Sequence, residues 1–134
     1  MILFINTSDF HALTFILVDG HDNGHMVKQF QTEVAFNENY KTNEFLQQFL
    51  RREKIKTADL TKIIVCTGPG SFTGIRVGVA LAQALGFGLN IPVMAIPKSK
   101  IPKDIRKLVS LKSGKTLVMN YGQKPNITKA KKKK

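Results

Sequence analysis

An apolar, β-branched run at 62–67 breaks into Gly68-Pro69-Gly70-Ser71-Phe72-Thr73-Gly74 and resumes at once with helix-forming residues. A buried strand that turns sharply into a helix restricts the chain to α/β architectures, because the strand must be covered on both faces. The turn also resembles a phosphate cradle, which can be tested residue by residue. A P-loop needs a lysine directly after its last glycine, whereas Ile75 follows Gly74 and no lysine is near. The dinucleotide fingerprint G-x-G-x-x-G is one residue shorter than this turn, so neither familiar version applies. Two readings stay open. Gly68, Gly70, Ser71, Thr73, Gly74 and Arg76 could hold an anion at the helix N-terminus. Alternatively Thr73 only caps the helix and the glycines only permit a tight bend.

The helix expected over 73–89 carries two rows of small residues. Gly74, Gly78, Ala82 and Gly86 recur every four positions, and Ala80, Ala84 and Gly88 form a second row. A glycine inside a helix costs ~1 kcal/mol relative to alanine, so such rows imply close backbone approach. One row is expected to pack on the sheet of the same chain, leaving the other for a partner helix.

The remaining elements follow from periodicity. Residues 2–5 and 13–18 read as buried strands, and the turn-rich 19–24 closes a hairpin to a third strand over 25–36, marked by Met26, Phe30 and Val34. Phe45, Leu46, Phe49 and Leu50 share one helical stripe, capped by Thr42, with Glu44 early and Arg51-Arg52 late. A short strand at 92–96 completes the order β-β-β-α-β-α-β. That order is α/β with a mixed sheet flanked by helices, a single ribonuclease-H-like or actin-like (ASKHA) lobe over 1–97. Residues 115–120 are a further strand candidate.

Charge divides the chain. Residues 1–97 hold eight Lys/Arg and eight Asp/Glu, while 98–134 hold thirteen Lys/Arg and only Asp104 as an acid. The whole formal excess of +12 therefore lies in a basic extension, 98–134, whose end is expected to be partly disordered. Such a segment suits a polyanion or simply solubilises the chain. Lys124, Lys129, Lys131, Lys132, Lys133 and Lys134 are the candidate RNA contacts.

Other chemistry is sparse. The only cysteine, Cys66, sits in an apolar run and reads as a buried thiol. His11, His21 and His25 have no ligand spacing, so neither a metal nor a catalytic residue is expected. No apolar run is expected to reach the ~18 residues of a membrane span, and the start lacks a signal-peptide pattern. A cytoplasmic protein is expected.

Residues 66–93, CTGPGSFTGIRVGVALAQALGFGLNIPV, together with the opening ILFINTS, resemble the TsaB (YeaZ) family. The family works in making N6-threonylcarbamoyladenosine at position 37 of tRNA. The resemblance implies an actin-like fold and a non-catalytic subunit that dimerises with, and activates, a TsaD-like enzyme. It implies a helix-bundle contact through 42–52 and 73–89, with Phe45, Gln48, Phe49, Arg52, Val79, Ala82, Gln83 and Gly86 as contact residues. A TsaE-like ATPase and tRNA are further implied partners, with a homodimer when the chain is alone. No cofactor of its own is implied, and any ATP or ADP is expected only in the assembled complex.

Three departures stand out. Most of the second lobe of the family is missing here, Asn6 replaces the usual first-strand Asp, and 42–52 has no histidine where TsaD-type enzymes carry HxxxH. A tRNA-binding scaffold acting through the basic extension is the alternative function. A small actin-like ATPase is the third, weakened by the amide at position 6.

Overall fold

Four of the five residues of strand β1, Ile2–Asn6, are buried, which requires apolar cover on both faces. A computed structural model, which describes residues 1–19, 27–33 and 41–111, supplies that cover. The other strands are β2 (Ala12–Val18), β3 (Val27–Glu33), β4 (Lys62–Cys66) and β5 (Val93–Ile96). They form one sheet in the order β3-β2-β1-β4-β5. The hairpins β1–β2 and β2–β3 are antiparallel, and β1–β4 and β4–β5 are parallel. Parallel neighbours need crossovers, and helices α1 (Thr42–Arg52) and α2 (Phe72–Leu89) provide them. The fold is the expected ribonuclease-H-like or actin-like lobe.

Alternation sorts the apolar side chains between the two faces. Leu3, Ile5, Phe15 and Val65 point to the helices, where Leu46, Phe49 and Ala82 meet them. Ile2, Phe4, Ile64 and Cys66 point the other way. The expected thiol burial at Cys66 is observed, with its Sγ 3.7 Å from the Ser8 hydroxyl. Aromatic rings stitch α1 to the outer hairpin: Phe49 lies 6.4 Å from Phe15 and 5.7 Å from Phe30, centroid to centroid.

Element ends differ slightly from expectation. Thr42 is the first residue of α1 and is buried, while Lys41 occupies the cap position without a side-chain cap bond. Strand β3 is described from Val27 to Glu33, and Met26 and Val34 lie outside the described residues. The candidate strand at 115–120 also lies outside them.

Residues 98–111 do not leave the lobe. They cross the second sheet face as two 3₁₀ turns, Lys98–Lys100 and Ile105–Ser110, and sink Leu108 to zero exposure. Ile101, Ile105, Val109 and Leu111 pack around it. Asp104 caps the second turn, accepting from the Arg106 backbone N–H at 3.1 Å and from its guanidinium at 2.8 Å. The Arg106 side-chain hydrogen bond holds the Asp104 carboxyl down to about 2. This strap supplies on one face what two helices supply on the other. Leu108→Ala should therefore destabilise the protein by ~2–5 kcal/mol, the usual cost of a buried leucine cavity, measured by urea unfolding of the full chain.

Candidate functional site

The glycine turn is held against the loop that follows β1. Asn6 Oδ1 accepts from the Ser8 backbone N–H at 3.0 Å and from the Ser8 hydroxyl at 2.6 Å, which bends the chain sharply after β1. Ser8 O then accepts from the Ser71 N–H at 2.7 Å, and Thr7 Oγ1 donates to Gly74 O at 2.5 Å. On the far side, Gly68 O accepts from the Lys98 N–H at 2.7 Å. Gly68 has φ +94° and Gly70 φ +157°, and the Gly68–Pro69 peptide is cis. A Cβ at Gly70 would overlap the Ser8 carbonyl, and one at Gly74 the Thr7 carbonyl.

These contacts favour the packing reading of the turn. The space that glycine opens is filled by carbonyl oxygens, the negative ends of peptide dipoles, and not by donors awaiting an anion. Ser71, not Thr73, is the helix cap: its hydroxyl accepts from the Gly74 N–H at 3.0 Å. Thr73 is exposed on the first turn, and the Arg76 guanidinium lies 5.3 Å above the Phe72 ring. The amide at Asn6 is spent on its own turn. Among the described residues no three His, Cys, Asp or Glu side chains converge. His11 is exposed, and His21 and His25 lie outside the described residues.

The two small-residue rows of α2 take opposite sides. Gly74 and Gly78 ride over Thr7, and Gly86 sits on Val93, each too close for a Cβ. Ala82, between them, has no exposure. The other row faces out: Ala80, Ala84 and Gly88 are exposed, and Gly88 has open space where a Cβ would be. Thr73, Arg76 and Phe87 extend that stripe, with Phe87 92% exposed and Phe72 beside it at 72%. An open groove of about 670 Å³ follows the first half of the helix, lined by Thr73, Ile75, Arg76, Val77, Val79 and Ala80.

The expected contact residues fall on both sides of this division. Phe49, Ala82, Gln83 and Gly86 lie inside the lobe, because the row bearing Ala82 and Gly86 is the one the sheet uses. Val79 and Phe45 are half-buried against the same core. Arg52 is exposed but occupied: it stacks over Phe30 and Phe49 at 5.6 and 5.4 Å and donates to Gln29 O at 3.0 Å. Gln48 is exposed on α1. Lys124, Lys129 and Lys131 to Lys134 lie outside the described residues. Phe72 and Phe87 are not among the expected contact residues. Their helical spacing relative to Ala80, Ala84 and Gly88 is the signal that identifies them.

Helix α2 is also, by length and composition, apolar enough to cross a membrane, with a mean hydropathy of 1.4 over 18 residues. Thr73, Arg76 and Gln83 interrupt its apolar run, which is why a count of uninterrupted residues misses it. Gly74, Gly78, Ala82, Gln83 and Gly86 of that helix are buried, and Val79, Leu81, Leu85 and Leu89 pack partly buried against the core.

Comparison with known proteins follows the same residues. Residues 34–101, half of the chain, match the family model described as TsaD, tRNA N6-adenosine threonylcarbamoyltransferase. A Bacillus subtilis (strain 168) tRNA threonylcarbamoyladenosine biosynthesis protein TsaB is 34% identical over 71 residues, covering 53% of this chain and 31% of that protein. The Haemophilus influenzae protein of the same name is 62% identical over 29 residues, 22% of this chain and 12% of that one. The fold matches that of YeaZ from Pseudomonas aeruginosa, with TM-score 0.62 and 22% identity over 72% of this chain and 42% of that one. The chain thus spans about a third or less of the length of these curated relatives.

The opposite roles of the two rows make a direct test. Gly78→Ala should destabilise the protein by ~1–3 kcal/mol, since its methyl would strike Thr7, although alanine is the better helix former. Gly88→Ala, in open space, should stabilise by up to ~1 kcal/mol. Denaturant midpoints of the two variants decide it: equal shifts of the same sign would contradict the assignment.

Proposed function

The chain belongs to the tRNA N6-adenosine threonylcarbamoyltransferase family, in its TsaB/YeaZ branch, and from that membership we propose that it is a non-catalytic assembly subunit. It docks on a TsaD-like enzyme and activates it in making threonylcarbamoyladenosine in tRNA. The observation that carries this reading is the outward face of α2. Ala80, Ala84 and Gly88 keep that face flat, and Phe72 and Phe87 stand at its ends. Small residues let a second helix approach closely, and exposed aromatics are the side chains that most often anchor an interface. An apolar face this continuous is seldom left to water.

The non-catalytic role is supported by chemistry as well as by shape. An actin-like ATPase needs a carboxylate near its metal-bound nucleotide, and Asn6 offers an amide already committed to Ser8. Any ATP or ADP, and any TsaE-like ATPase, would then engage the assembled complex and not this lobe alone. In the absence of the enzyme, the same α2 face would pair with a second copy.

Ala84→Arg places a long charged side chain in the middle of the flat stripe without touching the core. It should weaken heterodimer formation with a TsaD homologue from the same source at least ~100-fold, as an unpaired charge in an interface centre does. The assembled mass by light scattering and the partner's threonylcarbamoylation rate should fall together. Wild-type affinity in this variant would mean that the enzyme binds elsewhere.

A further inference from the structure

The 18 residues of α2 include no acid and a single charged side chain, Arg76. Phe72, Arg76, Ala80, Ala84 and Gly88 recur every four positions and are all exposed, so that charge stands in the same outward row as the small residues. Its guanidinium is stacked on the exposed Phe72 ring, 5.3 Å from the centroid. Stacking uses the face of the guanidinium plane and leaves the N–H donors along its edge free. Among the described residues no ion pair includes Arg76. The first turn of α2 holds no acid either, and its partial positive charge has the same sign as Arg76. This end of the stripe is cationic, and nothing on the helix neutralises it.

We propose that Arg76 sets which partner the α2 face prefers: an apolar helix carrying an aspartate or glutamate opposite Arg76, over a second copy of this chain. The inference rests on the assembly reading above and adds the chemistry of the partner's surface. A helix that covers the row as far as Phe72 also covers Arg76 and strips water from it. A covered arginine is unfavourable unless a carboxylate meets it, and its forked N–H groups match a carboxylate in a bidentate pair. The groove beside it gives an acidic side chain room to enter, since Thr73 and Arg76 are the polar members of an otherwise apolar lining.

A second copy cannot offer that carboxylate from α2. In a parallel pairing the two arginines would face each other. In an antiparallel one, each would meet the uncharged half of the other helix, around Ala84, Leu85 and Phe87. Glu44, the one acid of α1, is the group that a second copy would have to supply instead. Specificity needs a penalty against the wrong partner beside the gain with the right one, and one arginine provides both. Self-pairing through this face is therefore the weaker association.

The test measures two associations of the full chain: the heterodimer with a TsaD homologue from the same source, by titration calorimetry, and self-association, by sedimentation equilibrium. Arg76→Gln should weaken the heterodimer ~10-fold or more, and Arg76→Glu ~100-fold or more because it sets two carboxylates against each other. Arg76→Lys should recover part of the loss. The wild-type heterodimer should weaken more steeply than the Arg76→Gln one between ~50 and ~500 mM salt, since screening acts on the charge pair. Self-association should move the other way, unchanged or tighter in Arg76→Gln. The side chain is exposed, so all three variants should keep the wild-type unfolding midpoint. A heterodimer as tight with Arg76→Gln as with wild type would overturn the proposal, whatever Arg76→Glu does, because the arginine would then meet no carboxylate. So would self-association that Arg76→Gln and Glu44→Gln both weaken, which would put the carboxylate on a second copy. Ala84→Arg, assayed in parallel, separates this inference from the reading beneath it. If Ala84→Arg abolishes the heterodimer and the Arg76 variants do not, the assembly reading stands and the Arg76 pairing falls. If none of these variants weakens the heterodimer, or wild type forms none, both fall.

Discussion

The buried hydrogen bond from Thr7 Oγ1 to Gly74 O, 2.5 Å long, sets the distance between α2 and the sheet. A hydroxyl on the loop after β1 can reach a helix carbonyl only when no side chain stands between the two backbones. Gly74 and Gly78 leave that space, and Gly86 repeats the arrangement over Val93 at the other end of the helix. The helix-interior glycines, each unfavourable by itself, are offset by a contact that no larger residue could make. Because α2 lies so close, its own first turn is completed from within: Ser71 caps it and the Ser8 carbonyl anchors Ser71. The glycine turn is thus a packing device, and its likeness to a phosphate cradle comes from a shared need for bare backbone.

That close seat has a consequence on the other side. The innermost row of the helix is mostly glycine and alanine, Val79, Leu81, Leu85 and Leu89 pack partly buried beside it, and further apolar residues lie on the outside. Gly74, Gly78, Ala82 and Gly86 hold the helix to the sheet, while Ala80, Ala84, Phe87 and Gly88 remain uncovered. The membrane-like average hydropathy of α2 arises from this division. Extracting the helix into lipid would forfeit the Thr7 bond and strip cover from β4 and β5. The exposed stripe is better matched by another protein surface, which can satisfy it while the inner row stays in place.

The element order, the alternating strands and the existence of two functional rows on α2 were legible in the residues, since each rests on a strong period. Which row faced inward was not. Both are small, and only the three-dimensional seat of Thr7 and Val93 distinguishes them. Ala82 and Gly86, expected as contact residues, are covered by the sheet. The cap at Ser71 was missed for a similar reason: Ser71 and Thr73 are equally good caps, and the anchor that selects Ser71 comes from Ser8, 63 residues earlier in the chain. Arg52 read as an interface cation because its aromatic partners Phe30 and Phe49 belong to different elements. The strap was illegible for the opposite reason: 98–111 has neither helical nor strand period, and Leu108 is its one fully buried residue.

A sheet with one face under helices and the other under a strap has two chemically distinct exteriors. The helix side is nearly uncharged along α2, with Arg76 as its one cation and that cation stacked on Phe72. The strap side gathers lysines whose neutralising acids, Asp9 and Asp104, are already taken by Lys98 and Arg106. Charge on the α2 face would oppose close helix packing, whereas the strap turns its apolar side chains to the sheet and its lysines to water. The sheet between them, with side-chain layers ~10 Å thick on either face, keeps the apolar and the basic exteriors apart.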